Sequence, residues 1–310
     1  MNIRKKGGRF TPIPLLLAVL LPAGCAAPLA YQKPVTNFQK ASVVVMDNAR
    51  TEYKNANKSE RDIEIDSRVD KRQKINAKIL ESDDLVLYSN SALETRMAAL
   101  DAISKHGQLL LALAGSDAPT KARSAAVSLE SSLAGLGKSL NMNISNEFNN
   151  KAEGFAAIEG EVINLVLNGR ITEALDKAVI SSDSQIKPLI TLLKEEYENN
   201  SERRRTRLSK TRVMAFDAYN DILAKKPVSP EKLKVAAEEI KKAQDSWESF
   251  ALLNRAEIEG FSAMLKAHGE LVDYAKSSKG PGDFSALVEA TEAFATEAEA
   301  VAQALGKFNK

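Results

Sequence analysis

The sequence predicts an all-α fold, an elongated bundle of long antiparallel helices, and three observations carry that prediction. Past Pro34 the chain is rich in Ala, Leu, Lys and Glu, and only 15 Gly and 10 Pro occur in all 310 residues. Apolar residues recur at three-and-four spacing, the period of one helix face, while runs alternating apolar with polar, as a half-buried strand does, are scarce. The breaks between these stretches carry helix stop and cap residues.

Taken in order, the first helix is expected from about Thr36 to Leu80. Phe38, Ala41 and Val45 share one face, and Ile65, Val69 and Ile79 are sparse seam positions in and after the charged middle KNANKSERDIEIDSRVDKRQK. Ser82 and Asp83 read as stop and cap for a second helix reaching about Ala114, before Gly115. Asp117 as cap and Pro119 near the first helical position open a third, ending around GLGKSLN. A fourth is drawn from about Asn146 to Ile180, with Phe155, Val162, Ile163, Val166, Leu175 and Val179 apolar and a kink at Gly169. SSDSQ reads as the cap of a fifth, from about Asp183 to Lys226, which spans about 66 Å if unbroken. Ser229, Pro230 and Glu231 supply cap, first-position and first-turn residues for a sixth, to about Lys276. After SSKGPGD a last helix runs to near Phe308.

The seams rank these helices by depth. On the sixth, Ala236, Ile240, Ala243, Trp247, Phe250, Ile258, Phe261, Leu265, His268 and Val272 keep helical spacing, interrupted by Asn254, so this helix is expected deep in the bundle. On the fifth, Ile186, Ile190, Leu193 and Tyr197 give way to Asn200, Arg204, Arg207 and Thr211. Its middle is expected to project into solvent, bend, or meet a charged partner. A short internal echo, ISKHGQL at Ile103–Leu109 and LKAHGEL at Leu265–Leu271, suggests a duplicated helical hairpin.

The amino terminus reads separately. Arg4, Lys5, Lys6 and Arg9 precede the apolar run Leu15–Leu21, and small residues follow, the order of an export signal. A membrane span needs roughly 20 apolar residues, which this run lacks. Ala23 and Gly24 directly before Cys25, the one cysteine of the chain, resemble the lipobox of bacterial lipoproteins. The resemblance implies cleavage before Cys25, a diacylglyceryl group on its sulfur and an acylated amino terminus. Pro22 stands where that family usually has Leu. The alternative is an ordinary secretory signal cut near Ala27. By the same resemblance, Ala26 in place of an Asp after the cysteine favours the outer membrane, with the body facing the periplasm. The expected organisation is therefore a signal over 1–24, a lipidated tether over 25–34 and a helical bundle over 35–310, divisible at 35–145 and 146–310.

Removing the signal takes four positive charges from a formal +2, leaving about −2, so no global field argues for nucleic acid. A chain with one cysteine cannot close an internal disulfide, and apolar burial must hold the fold.

Candidate chemistry is thin. His106 and His268 each fall on an apolar seam before a glycine, Gly107 or Gly269. The expected role is a buried histidine with satisfied ring nitrogens and a glycine allowing close helix approach, since no paired metal-ligand spacing is present. The run SERRRTRLSKTR places Arg203, Arg204, Arg205, Arg207, Lys210 and Arg212 within a few turns. It reads either as a solvated face offset by nearby glutamates or as a site for lipid phosphates or an acidic partner. Lys71, Arg72 and Lys74 form a smaller group of the same kind. Nucleophile elbows and phosphate loops are absent, and Glu289, Glu292, Glu297 and Glu299 fit the outer face of an amphipathic last helix. The expectation is a non-enzymatic, cofactor-free protein, anchored through acyl chains on Cys25, that binds or scaffolds an envelope protein. Two alternatives stay open: an immunity or exclusion lipoprotein, and a metal-dependent enzyme, which would require His106 and His268 to approach each other.

Overall fold

The computed structural model describes residues 27–80, 87–115, 118–140 and 160–308, and every regular element among them is helical. They are α1 (Ala27–Asp70), α2 (Ala77–Leu80), α3 (Asn90–Ala114), α4 (Ala118–Leu140), α5 (Ile171–Ala224), α6 (Pro230–Lys276) and α7 (Pro281–Phe308); residues 160–167 are also helical. The expected signal, Cys25, Ser82, Asp83, Asp117, Asn146 and Phe155 lie outside the described residues.

α1 is the axis. It packs against α3, α5, α6 and α7, while α4 lies on α3. Fully buried Tyr31, Val35, Phe38 and Met46 form its inner face, at spacings of four, three and eight that keep residues on one side of a helix. This corrects the tether expected over 25–34. Tyr31 and Val35 continue the Phe38 seam upstream, so helix formation extends back to Ala27 through Pro34, and the Tyr31 hydroxyl donates to Asp176 at 2.5 Å.

At its other end α1 stops at Asp70, about ten residues short of expectation. Residues 71–78 are all exposed, so no burial offsets the entropy of helix formation. The chain turns at Arg72, whose φ is +53°, and resumes as α2, where the Ile79 amide donates to the Asn76 side chain.

Two other boundaries differ for identifiable reasons. Gly169, at φ +73°, ends the 160–167 helix, and α5 starts afresh at Ile171; this is a break, where a kink was expected. SSDSQ, expected to cap the next helix, is instead interior to the 54-residue α5. The buried Ser182 hydroxyl donates back to the Ala178 carbonyl at 2.8 Å, a bond that lets serine sit in a helix interior.

The start of α6 matches expectation, with the Lys232 amide donating to Ser229 Oγ and Pro230 in the first turn. Its burial is lopsided: thirteen of its buried residues fall between Phe250 and Ala275, whereas before Phe250 only Ala236 and Ala243 are buried and Val235 is exposed. The close helix contact on α6 comes from Gly260, where a Cβ would lie 3.1 Å from Val301 Cγ2 and 3.3 Å from Val45 Cγ2. From this packed end the C-terminal part of α1, the second half of α5 and the first half of α6 continue as a thinner three-helix arm.

Candidate functional site

The two histidines, 162 residues apart in sequence, meet in the core. α3 and α6 bring the rings of His106 and His268 edge to face with centroids 5.3 Å apart, and both are fully buried. Phe38 of α1 packs on each. α5 supplies the polar partners: Ser182 Oγ lies 3.2 Å from His106 Nδ1, and His268 Nε2 donates to Asp183 Oδ1 at 3.1 Å. Ser182 Oγ also donates within its own helix, to the Ala178 carbonyl at 2.8 Å; with its proton there, His106 Nδ1 is the donor of the pair and Nε2 an acceptor.

His106 Nε2 and His268 Nδ1 have no hydrogen-bond partner among the described residues. The expectation of satisfied rings therefore holds for one nitrogen of each. Burial, and secondarily the neighbouring His268, pushes His106 well below its ordinary pKa, and the hydrogen bond from His268 holds the Asp183 carboxyl below the usual range. The approach that a metal site would require is met, but no group of three metal-ligating side chains converges among the described residues. Chemically, the set is a closed seat for a neutral imidazole that ties α1, α3, α5 and α6 together. Its glycines act unequally: a Cβ on Gly107 would touch Gln39 Cγ at 3.4 Å, while nothing stands within 4 Å of one on Gly269.

The basic run on α5 divides sharply. Arg204, expected on a presented face with its neighbours, is buried. Its Nη1 donates to Glu257 Oε2 at 2.8 Å and its Nη2 to Glu52 Oε2 at 3.0 Å. Asn254, the interruption in the α6 seam, accepts from Nη1 at 3.3 Å, and Asn48 Nδ2 donates to the other Glu257 oxygen at 2.9 Å. The guanidinium also covers the rings of Tyr197 and Phe250. Periodicity explains this placement, since Arg204 lies seven residues after the buried Tyr197, two turns along the same face. Burial pushes Glu257 up to about 7, partly offset by Arg204, with Glu52 adding repulsion.

The remaining members stay outside or line clefts. Arg203 and Lys210 are exposed, and Arg205 pairs with Glu202 along its own helix. Arg207, half-buried, reaches Glu60 at 4.0 Å, and burial lowers its pKa. Arg212 lies over Trp247, 5.1 Å from the ring centroid. Glu64, Arg205, Lys210, Met214 and Trp247 line a groove of about 610 Å³ between α1, α5 and α6.

Beside Arg204, Tyr53 touches both Tyr88 and Tyr197 edge-on, and Arg96 bonds Glu196 while covering Tyr88 at 4.5 Å. A cavity of about 20 Å³ here, lined by Glu52, Tyr88, Tyr197 and Arg204 among others, has room for a single water. Glu52, Glu196, Glu257 and Arg96 were not picked out from sequence. Glu257 had a signal, because Phe250, Asn254, Glu257 and Phe261 keep four-three-four spacing. Glu52 and Glu196 had none, since their partners lie 100 residues away or more.

No helix among the described residues is long and apolar enough to cross a membrane. No family model, curated protein or solved structure matches the chain.

Proposed function

We propose that this chain is an outer-membrane lipoprotein, lipidated at Cys25 and facing the periplasm, that works by binding an envelope protein and not by catalysis. The observation that carries the reading is the sequence Ala23-Gly24-Cys25 after a basic and then apolar segment. The burial of Tyr31 and Val35 on α1, six and ten residues after Cys25, adds support. An anchor at Cys25 would join almost directly to the helix that contacts four others, so the bundle would stand on the membrane without a loose linker.

Acyl chains stabilise attachment by roughly 0.8 kcal/mol per buried methylene, and more than one chain makes a lasting anchor. The exposed polar face of long helices, with Arg203, Arg205 and Lys210 among its charges, is the surface offered to a partner. The test is mass spectrometry and membrane fractionation of wild type beside Cys25→Ser, followed by crosslinking in the membrane-bound protein. An acylated Cys25 terminus in the outer-membrane fraction, lost in the variant, is the expected result. A soluble chain cut near Ala27 would overturn the anchor.

A further inference from the structure

The far end of the arm collects a basic and apolar surface that the proposed lipidation does not use. α1 and α5 run parallel toward it, as Tyr31–Asp176 and Glu60–Arg207 show, and α6 starts from it. Val69, Ala218 and Glu239 line one cleft there, so the end of α1 and the approach to the α5–α6 turn share this end of the arm, and the Lys74 carbonyl, accepting from Arg68 Nη1 at 3.1 Å, keeps the segment after α1 beside its last turns. Residues 71–78 and 222–235 carry Lys71, Arg72, Lys74, Lys78, Lys225, Lys226, Lys232 and Lys234 against Glu231, with Asp70 and Asp221 immediately before them. All eight basic residues are exposed. Aliphatic side chains are interleaved and uncovered: Val69 is 62% exposed, Ile75 41%, Leu223 51%, Val228 37% and Val235 64%.

We propose that this end docks on an anionic lipid bilayer. Lysines that reach phosphates, mixed with aliphatic side chains that enter the headgroup layer, are what such a surface selects. Each basic residue near an anionic bilayer contributes separately, so scattered lysines with single aliphatic side chains between them suit a lipid surface and lack the packed apolar centre of a protein interface. If Cys25 is the anchor, the 44-residue α1 sets the docking end about 66 Å from it, where it would meet a second membrane surface. That geometry rests on the lipoprotein reading; the docking itself does not.

The test uses the unlipidated full chain, Cys25→Ser, sedimented with vesicles of pure phosphatidylglycerol or pure phosphatidylcholine. Its companion also carries Lys225→Glu, Lys226→Glu, Lys232→Glu and Lys234→Glu, and a control carries Arg123→Glu on α4. The signal segment is common to all three, so its contribution cancels. Expected are preference for phosphatidylglycerol, a loss of about fivefold or more per reversed charge, weakening with salt, and no change in the control. Leu223→Ser with Val228→Ser should reduce binding without changing its salt dependence. Equal binding of both lipids, or of the reversed and parent chains with unchanged helicity, overturns the proposal; so does a chain that ignores vesicles but crosslinks to an acidic protein through this end. Lipidation at Cys25 is read separately, so either reading can fail alone.

Discussion

The histidine level and the arginine level of this bundle bury polar groups on the same two long helices, α5 and α6, in opposite ways. Around His106 and His268 five helices meet and Phe38 and Phe294 close the space; the polar atoms there are few and His106 is held neutral. Arg204 on α5 takes its polar partners from α1 and α6 alone among the described residues, and the seam is ionic, with Glu257 1% and Glu52 17% exposed. The difference teaches how a bundle thins. Fewer neighbouring helices mean less apolar cover, and a seam position then keeps its depth by recruiting charge partners in place of hydrocarbon.

The largest effect should come from Arg204→Ala. It strands two carboxylates, one nearly inaccessible, and breaking one member of a buried ionic set costs about 3–5 kcal/mol. Calorimetry should show a fall in melting temperature on the order of 10 °C. The double change Arg204→Met and Glu257→Leu should recover much of that loss, because a hydrocarbon pair of similar volume removes the stranded charge. If the double variant were worse than Arg204→Ala, the ionic seam would be essential to the arm and not merely a substitute for apolar packing.

Next in size is a contrast between two α6 glycines. Gly260 lets α6 approach α1 and α7, and Gly260→Leu should cost about 1–3 kcal/mol or more by overpacking. Gly269 faces open space, so Gly269→Ala should stabilise by about 0.5–1 kcal/mol through backbone entropy alone. Denaturant midpoints of the two variants should move in opposite directions. If Gly269→Ala destabilised, the His-Gly pair would have a role that its surroundings do not explain.

The two levels should also oppose each other in pH. His106 is depressed below 6.5 in the fold, so as pH falls past about 6.5 the unfolded chain takes up the proton first and stability drops. Glu257, about 7 in the fold against 4.5 free, binds its proton more tightly when folded; its stabilising share is present below about 4.5 and is lost as pH rises through 7. Each has a limiting slope of about 1.4 kcal/mol per pH unit. Between about 4.5 and 6.5 the contributions cancel in part. In chemical unfolding over this range, His106→Gln should become more stable as pH falls, and Glu257→Gln less stable. Parallel profiles for the two variants would show that the two levels do not titrate in opposition.

What was legible in the sequence follows the reach of each interaction. Caps at Ser229 and Pro230, the stop at Gly115, the Phe38–Val45 seam of α1 and the Phe250–Val272 part of the α6 seam are set within a turn or two, and the structure has them where the residues suggest; Val69, also expected on the α1 seam, is instead 62% exposed, because only the thin arm surrounds that end of α1. The meeting of His106 with His268 depends on how α3 and α6 pack around α1, which no local pattern encodes. Ser182 and Asp183 misled because the same side chains that cap a helix also bond inside one; tertiary partners at His106 and His268 decided between the two.

The smallest predicted effect stands next to the largest. Arg203 precedes Arg204 by one residue, yet a helix turns about 100° per residue, which carries Arg203 from the seam to the surface. No ion pair within 4 Å holds it among the described residues. Arg203→Ala should therefore leave the melting temperature within the scatter of wild type, since a solvated arginine on a helix face loses little when truncated. Measured beside Arg204→Ala, it separates the two roles that the run RRR presents as one. A comparable loss from both would mean that the arm is stabilised by its total positive charge, and the buried pairing of Arg204 with Glu257 and Glu52 would no longer account for the difference between the levels.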